Sequence, residues 1–365
     1  MRALFLLALG SVVVGCGGQV TAAASDGGTD SPSPTPTTTP TTTPTTTPTT
    51  TPTTPPPTPA PGASPPARPS VAASDGSTQW FAITRFQLGL TRRDTGVTAI
   101  DAWKDYGYDL DRRTTTADDS KTSTNTCKRV AGSPTKVLLD GNDGRDNNFG
   151  QHTMAVMKSL KSDIEDSVNG SVATTETLLL RLDNVGPADN ANVPGSLYLA
   201  MNKGSCGGGW SIDSRSLDGL KNPKVQFKGY MKGGVWVSGE LGADPFDLPL
   251  PFGTMPLNLH LESGVISFAP GAPGSSGTIA GGVATSSMKA AFTPFFAAYG
   301  VCPGNATFDQ VMDTMAQSAD LVSGAPQLQD VARECNAVSI GLGFVVEKTV
   351  APTCISTGTS PPSGC

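Results

Sequence analysis

Between Ser31 and Ser70 the chain is built almost wholly of Pro, Thr, Ser and Ala, and a Pro-Thr-Thr-Thr period runs from Pro36 through Pro52. Such a segment has little apolar surface to bury and cannot offset the entropy of ordering it. It is therefore expected to stay extended and solvated. Any hydrophobic core must come from the residues that follow. Of the 31 prolines, 15 lie between Pro32 and Pro69, so the proline excess belongs to this segment alone. With 37% hydrophobic and 15% charged residues overall, the remainder is apolar enough to fold. The net charge of −6 argues against nucleic acid as the main partner.

The N-terminus reads as an address. Met1-Arg2 precedes an apolar run from Leu4 to Val14. That run falls short of the about 20 residues a membrane span needs and fits the core of an export signal. It leads into Val13-Val14-Gly15-Cys16, which resembles the bacterial lipobox, with an aliphatic residue at −3 and a small one at −1 before a cysteine. The resemblance implies that residues 1–15 are removed and that Cys16 carries a diacylglyceryl thioether and palmitate-type acyl chains. Each buried CH2 of those chains is worth about 0.8 kcal/mol of membrane affinity. Gly17 at +2, in place of Asp, implies the outer membrane in a two-membrane cell. An ordinary signal cut after Ala22-Ala23-Ala24 would instead discard Cys16. Residues 16–72 then form the lipidated N-terminus and linker. Near 3.1 Å per residue, the proline-rich part reaches up to roughly 100 Å from the membrane. Its Thr/Pro composition also suits O-linked sugar.

Residues 73–365 are expected to form the globular domain. Six cysteines remain there, namely Cys127, Cys206, Cys302, Cys335, Cys354 and Cys365. In an exported chain they imply three disulfides with fifteen connectivities. Chain order favours Cys127–Cys206, Cys302–Cys335 and Cys354–Cys365. Strand patterns cover Trp80–Leu90, Thr177–Leu182, Leu197–Met201, Leu257–Leu261, Val265–Phe268, Thr278–Ala284 and Val338–Val350. Val225–Phe227 and Val235–Val237 flank a Gly233-Gly234 hairpin signal. One helix is expected after Asn148, through Met154, Met157, Lys161, Ile164 and Val168. Another follows a capping box at Thr307-x-x-Gln310, and a third spans Ser287–Tyr299. The expected fold is mostly β, antiparallel and sandwich-like, with packed helices, an α+β domain stapled by disulfides.

The sharpest local motif is Asp140-Gly141-Asn142-Asp143-Gly144-Arg145-Asp146-Asn147-Asn148. Six of its nine residues carry a side-chain oxygen. Ca2+ takes about six to eight oxygens, which makes Asp140, Asn142, Asp143, Asp146 and Asn147 candidate ligands. Gln151 stands where an EF-hand needs Glu, so the motif is not an EF-hand. Asp109, Asp111, Asp118 and Asp119 would add ligands if they fold nearby. The competing reading is a loop of Asx turns capping the helix. No catalytic set emerges. His152 and His260 are the two histidines, and neither a Gly-x-Ser-x-Gly elbow nor a His-Glu-x-x-His motif is present. His260 and Glu262 sit i, i+2 on one strand. Glu240, Asp244, Asp247 and Glu262 are acids available to a glycosidase. Trp210, Trp236 and Tyr230 are candidates for a sugar platform, although strand aromatics more often fill a core.

Tyr106–Asp111, Asp140–Gly150 and Cys335–Phe344, with the lipobox and tether, resemble a family of secreted lipoproteins from myxobacterial-type genomes, a family without an assigned activity. The resemblance covers most of Trp80–Val350 and implies a shared fold. The function expected is that of a lipid-anchored, surface-displayed protein with a binding or structural domain, ordered by Ca2+. Its partners would be the membrane through the lipid and a glycan or envelope component. A hydrolase acting on extracellular polysaccharide is the alternative.

Overall fold

Alternating apolar residues form strands close to where the pattern places them. The computed structural model describes residues 63–123, 126–242, 244–252, 255–271, 274–298, 300–324, 331–358 and 365; Cys16, the leader and the repeat lie outside them, as does Tyr299. The strands are β1 (Ser77–Gln87), β2 (Glu176–Val185), β3 (Gly195–Cys206), β4 (Gly209–Asp213), β5 (Val225–Phe227) and β6 (Tyr230–Lys232). They continue as β7 (Val235–Val237), β8 (Phe246–Phe252), β9 (Met255–Phe268), β10 (Ser275–Ala284), β11 (Ala337–Thr349) and β12 (Ile355–Ser356). Five α-helices accompany them among the described residues: α1 (Ala117–Thr122), α2 (Met154–Leu160), α3 (Ile164–Thr174), α4 (Thr285–Ala298) and α5 (Ala306–Ala316). The protein is mostly β and antiparallel, with β12 running parallel to β4.

The sheet runs β4-β3-β2-β1-β11-β10-β9-β7-β6 and then curls back on itself. β5 pairs with β3 from Leu197↔Val225 to Gly195↔Phe227. The same two segments continue pairing beyond the strands. Val193 N–H donates to Gly229 O at 2.9 Å, and Asn190 and Met231 exchange bonds of 2.9 and 2.8 Å. β6 is the hairpin partner of β7, so these bonds close a ring. The two layers expected of a sandwich are thus opposite walls of one curled sheet. Gly233 and Gly234 have φ of 58° and 78°, the paired positive values of a type I′ turn. That turn joins β6 to β7, and Val225–Phe227 belongs to the seam instead.

Inward side chains fill the ring. Phe81 on β1 meets Phe268 on β9 at 5.1 Å between centroids, and Phe268 meets Trp236 at 5.7 Å. Trp236 then meets Phe227 at 6.0 Å. Edge-on contacts of this kind add to the area term. Trp210, Tyr230 and Trp236 are all buried, so none offers a sugar platform. Met154, Met157, Met312 and Met315 are core residues, as their helical spacing implies. The first half of β9 leaves the ring to pair with β8, and α4 packs on it through Phe292, Phe295 and Phe296.

The expected helix after Asn148 divides. A π turn over Phe149–Thr153 opens α2, the chain breaks at Lys161 (φ −144°, ψ 100°), and α3 starts anew. α3 takes its direction from β1. Asn169 bonds Phe86 N–H and C=O, while Glu165 accepts from Leu88 and Leu90 N–H and from the Thr91 hydroxyl. α5 is capped by Asn305, whose side chain accepts from Thr307 N–H at 2.9 Å, so the cap lies two residues before the expected Thr307.

All six cysteines form disulfides, and every pairing differs from chain order. The bonds are Cys127–Cys335, Cys206–Cys354 and Cys302–Cys365. The sheet decides this. Lys128 bridges to Glu334 just before β11, and the end of β3 lies beside the segment entering β12. Residues 63–72, expected as linker, also lie bonded along the domain, from Ala63 O to Val71 O.

His152 gives a pH test. Its Nε2 is buried without a hydrogen-bond partner among the described residues, and burial holds its pKa down to about 4. The unfolded chain binds the proton first, so stability present near neutrality is lost as pH falls from about 6.5 toward 4. The loss attributable to His152 approaches roughly 3 kcal/mol. Urea unfolding of wild type and His152→Gln at pH 7 and pH 4.5 checks it: the gap between the two must change in favour of the variant at the lower pH.

Candidate metal centre

Two backbones touch at Gly107 and Gly341, and that contact builds the site. A Cβ on Gly107 would sit 2.7 Å from Asp146 O, and one on Gly341 would sit 2.7 Å from Gly107 Cα. Gly107 has a φ of +96°, where a side chain is strained in any case. The segment Tyr106–Asp111 can therefore lie flat on β11. Tyr108 is pinned below by its hydroxyl on Ser267 at 2.5 Å, and Asp146 N–H donates back to Tyr108 O at 3.0 Å. Asp109 and Asp111 are thereby set against Asp146.

The carboxylate oxygens of Asp109, Asp111 and Asp146 lie within 4.8 Å of one another. Asp111 and Asp146 are buried, and Asp109 half-buried. Asp140 and Asp320, both buried, add their fields to the group. Each carboxylate is held by N–H donors. Leu110 N–H donates to Asp146 at 2.6 Å, Arg113 N–H to Asp111 at 2.9 Å and to Asp109 at 3.1 Å, and Thr115 N–H to Asp140 at 2.5 Å. Ser339 holds Asp320 through its N–H at 2.8 Å and its hydroxyl at 2.5 Å.

Burial is the leading cause of an upward pKa shift at all five. Asp140 is pushed up to about 9, with Asp111, Asp320 and Asp109 adding repulsion. Asp111 rises to about 7 through burial and Asp109, and Asp320 to about 7 through burial and Asp111. Asp146 stands well above the usual carboxylate range, and Asp109 is raised too. Arg113 opposes the shift at Asp111 and Arg112 opposes it at Asp109, without reversing either. Two ionised carboxylates about 5 Å apart repel by roughly 3 kcal/mol at an effective dielectric near 20. The group is therefore held partly protonated unless a cation enters. A hard divalent ion coordinated by oxygen suits such a donor set.

Of the five ligands anticipated in the Asp/Asn loop, the structure brings Asp146 into this cluster and sets Asp140 within its Coulomb field. Asn142 turns outward to Asp105 at 2.8 Å. Asp143, with its side chain 73% exposed, pairs with Arg145 at 3.0 Å. Asn147 is fully occupied as a structural pin. Its Oδ1 accepts from Gly150 and Gly341 N–H, both at 2.9 Å, and its amide donates to Trp103 O at 3.0 Å. The Gly150 bond is the Asx-type cap that the competing reading called for. Asp109 and Asp111 do fold beside the loop, whereas Asp118 is exposed and Asp119 caps the start of α1 with Thr116. Asp320 had no local signal in the sequence, because it arrives from the turn after α5.

The other acids are engaged separately. Glu240 pairs with Arg68 at 3.6 Å, Asp244 with Lys228 at 3.9 Å and Asp247 with His260 at 2.8 Å. Glu262 accepts from Ser323 and Gly324 and not from His260. Asp247 and His260 lie on the rim of an open groove of about 770 Å³ between β5, the β8–β9 hairpin and α4.

Replacing Gly107 with Ala forces a Cβ onto Asp146 O in a strained backbone region. The variant is expected to lose roughly 2 kcal/mol of stability or more. Chemical denaturation measures it, with Gly170→Ala, which meets open space, as the control. No protein-family model, curated protein or solved structure matches the chain.

Proposed function

We propose that this chain is a lipid-anchored, extracytoplasmic protein whose barrel domain binds a divalent cation, with Ca2+ the best fit, at Asp109, Asp111 and Asp146, with Asp140 and Asp320 behind them. The observation that carries the cation is the set of buried carboxylates gathered from three separate segments with little opposing charge. The anchor rests on the lipobox at Cys16 and the Thr/Pro tether, and three disulfides suit an oxidising compartment. A long tether extends the reach of a binding module toward an envelope or glycan partner. The groove beside α4 has the size of a ligand site. Labelled palmitate should enter the wild-type chain and fail to enter Cys16→Ala, and protease added to intact cells should remove the domain. A domain left whole on intact cells would overturn surface display. Calorimetric titration of the purified full chain with Ca2+ tests the cation, and absence of heat at millimolar Ca2+ would overturn it.

A further inference from the structure

The ring is closed by a short seam, and residues 63–73 lie across it. The seam pairs Asn190–Leu197 with Val225–Met231. Arg68 donates from one guanidinium nitrogen to Ala191 O at 2.7 Å and from the other to Lys228 O at 2.6 Å, so one side chain grips both sides. It also stacks over Tyr230, 4.5 Å from the ring centroid, and pairs with Glu240. The backbone around it does the same. Ala191 N–H donates to Val71 O at 2.7 Å, the Tyr230 hydroxyl to Pro66 O, and Ala73 N–H to Asn190 Oδ1 at 2.9 Å. At its far end Ala63 O accepts from Asp109 N–H at 2.8 Å. Beneath the strap lies a cavity of about 390 Å³ lined by Arg68, Phe227, Glu240 and Phe246.

From this placement we infer that residues 63–73 are a latch that holds the barrel seam shut, with Arg68 as its fork. The chain leading to the tether joins the domain at the latch, so a pull on the tether loads the seam before it loads β1. A guanidinium spans two carbonyls that face each other across the seam, whereas an ammonium presents one compact donor head. Arg68 is also the first basic residue after Arg2, so the linker reserves its positive charge for this point.

Hydrogen exchange on the full chain tests the latch. In Arg68→Ala, amides of Ala191, Val193 and Met231 are expected to exchange at least tenfold faster than in wild type, while the β10–β11 ladder keeps its rates. Arg68→Lys should fall between the two. It also carries the test if the alanine variant fails to fold, because wild-type rates in Arg68→Lys would overturn the fork. Glu240→Gln, which leaves both carbonyl bonds in place, should retain wild-type protection at the seam. Unchanged seam protection in Arg68→Ala, or faster exchange shared equally by β10 and β11, would overturn the latch.

Discussion

At pH 8 the full chain should melt roughly 5 °C higher in millimolar Ca2+ than in chelator, for an ion a hundredfold above its dissociation constant. The sign of the pH dependence distinguishes this from a general salt effect. Without a cation, the acids whose folded pKa is raised contribute stability that is fully present below about pH 4. It is lost as pH rises through about 7 for Asp111 and Asp320 and about 9 for Asp140. A bound ion requires the ionised carboxylates, so its stabilisation grows over the same range. The difference between the two melting curves should therefore widen from pH 5 to pH 8. Asp146→Asn should abolish the Ca2+ shift and raise the melting point in chelator, because it removes the cost of keeping a buried carboxyl un-ionised at pH 8 while keeping an acceptor for Leu110 N–H. Asp143→Asn, outside the cluster, should change neither. Equal melting in Ca2+ and chelator at pH 8 would reduce the cluster to an architectural feature.

Removing Cys127–Cys335 as a Ser pair should lower the unfolding free energy by roughly 2–5 kcal/mol. The bond joins residues 208 apart, and both cysteines are buried, with Cys127 Sγ 3.2 Å from Asp320 O. In the chain-entropy account the saving in the unfolded state grows with loop length. Cys302–Cys365, with a separation of 63, should therefore matter less by about 1 kcal/mol. Urea titration of the two double variants ranks them. The Cys127–Cys335 variant should also bind Ca2+ more weakly, since Cys127 packs against the Asp320 carbonyl behind the cluster. The opposite ranking would mean that residual structure in the unfolded chain outweighs loop length.

The centre was half legible in the sequence. Asp140 and Asp146 stood out because the loop is dense in oxygens over a few residues. Asp109 and Asp111 were visible as a second acidic pair without an address. Asn142, Asp143 and Asn147 share the loop's composition, but composition says nothing about which way a side chain turns. Asn147 turns inward because Gly341 N–H needs an acceptor. Asp320 was invisible, being one acid in a polar turn. The disulfides failed for the same reason, since neighbours along the chain are not neighbours across a curled sheet.

Local pattern by itself determined most of the long strands, most of the helical segments and the mostly antiparallel class. These follow from periodicity, which acts over a few residues. Closure of the ring, cysteine pairing, the latch at Arg68 and the gathering of five carboxylates were decided only in the tertiary structure. Each depends on segments more than 20 residues apart being brought within hydrogen-bond or Coulomb range, as with Gly107 meeting Gly341 and Arg68 meeting Ala191. No local preference encodes such a meeting.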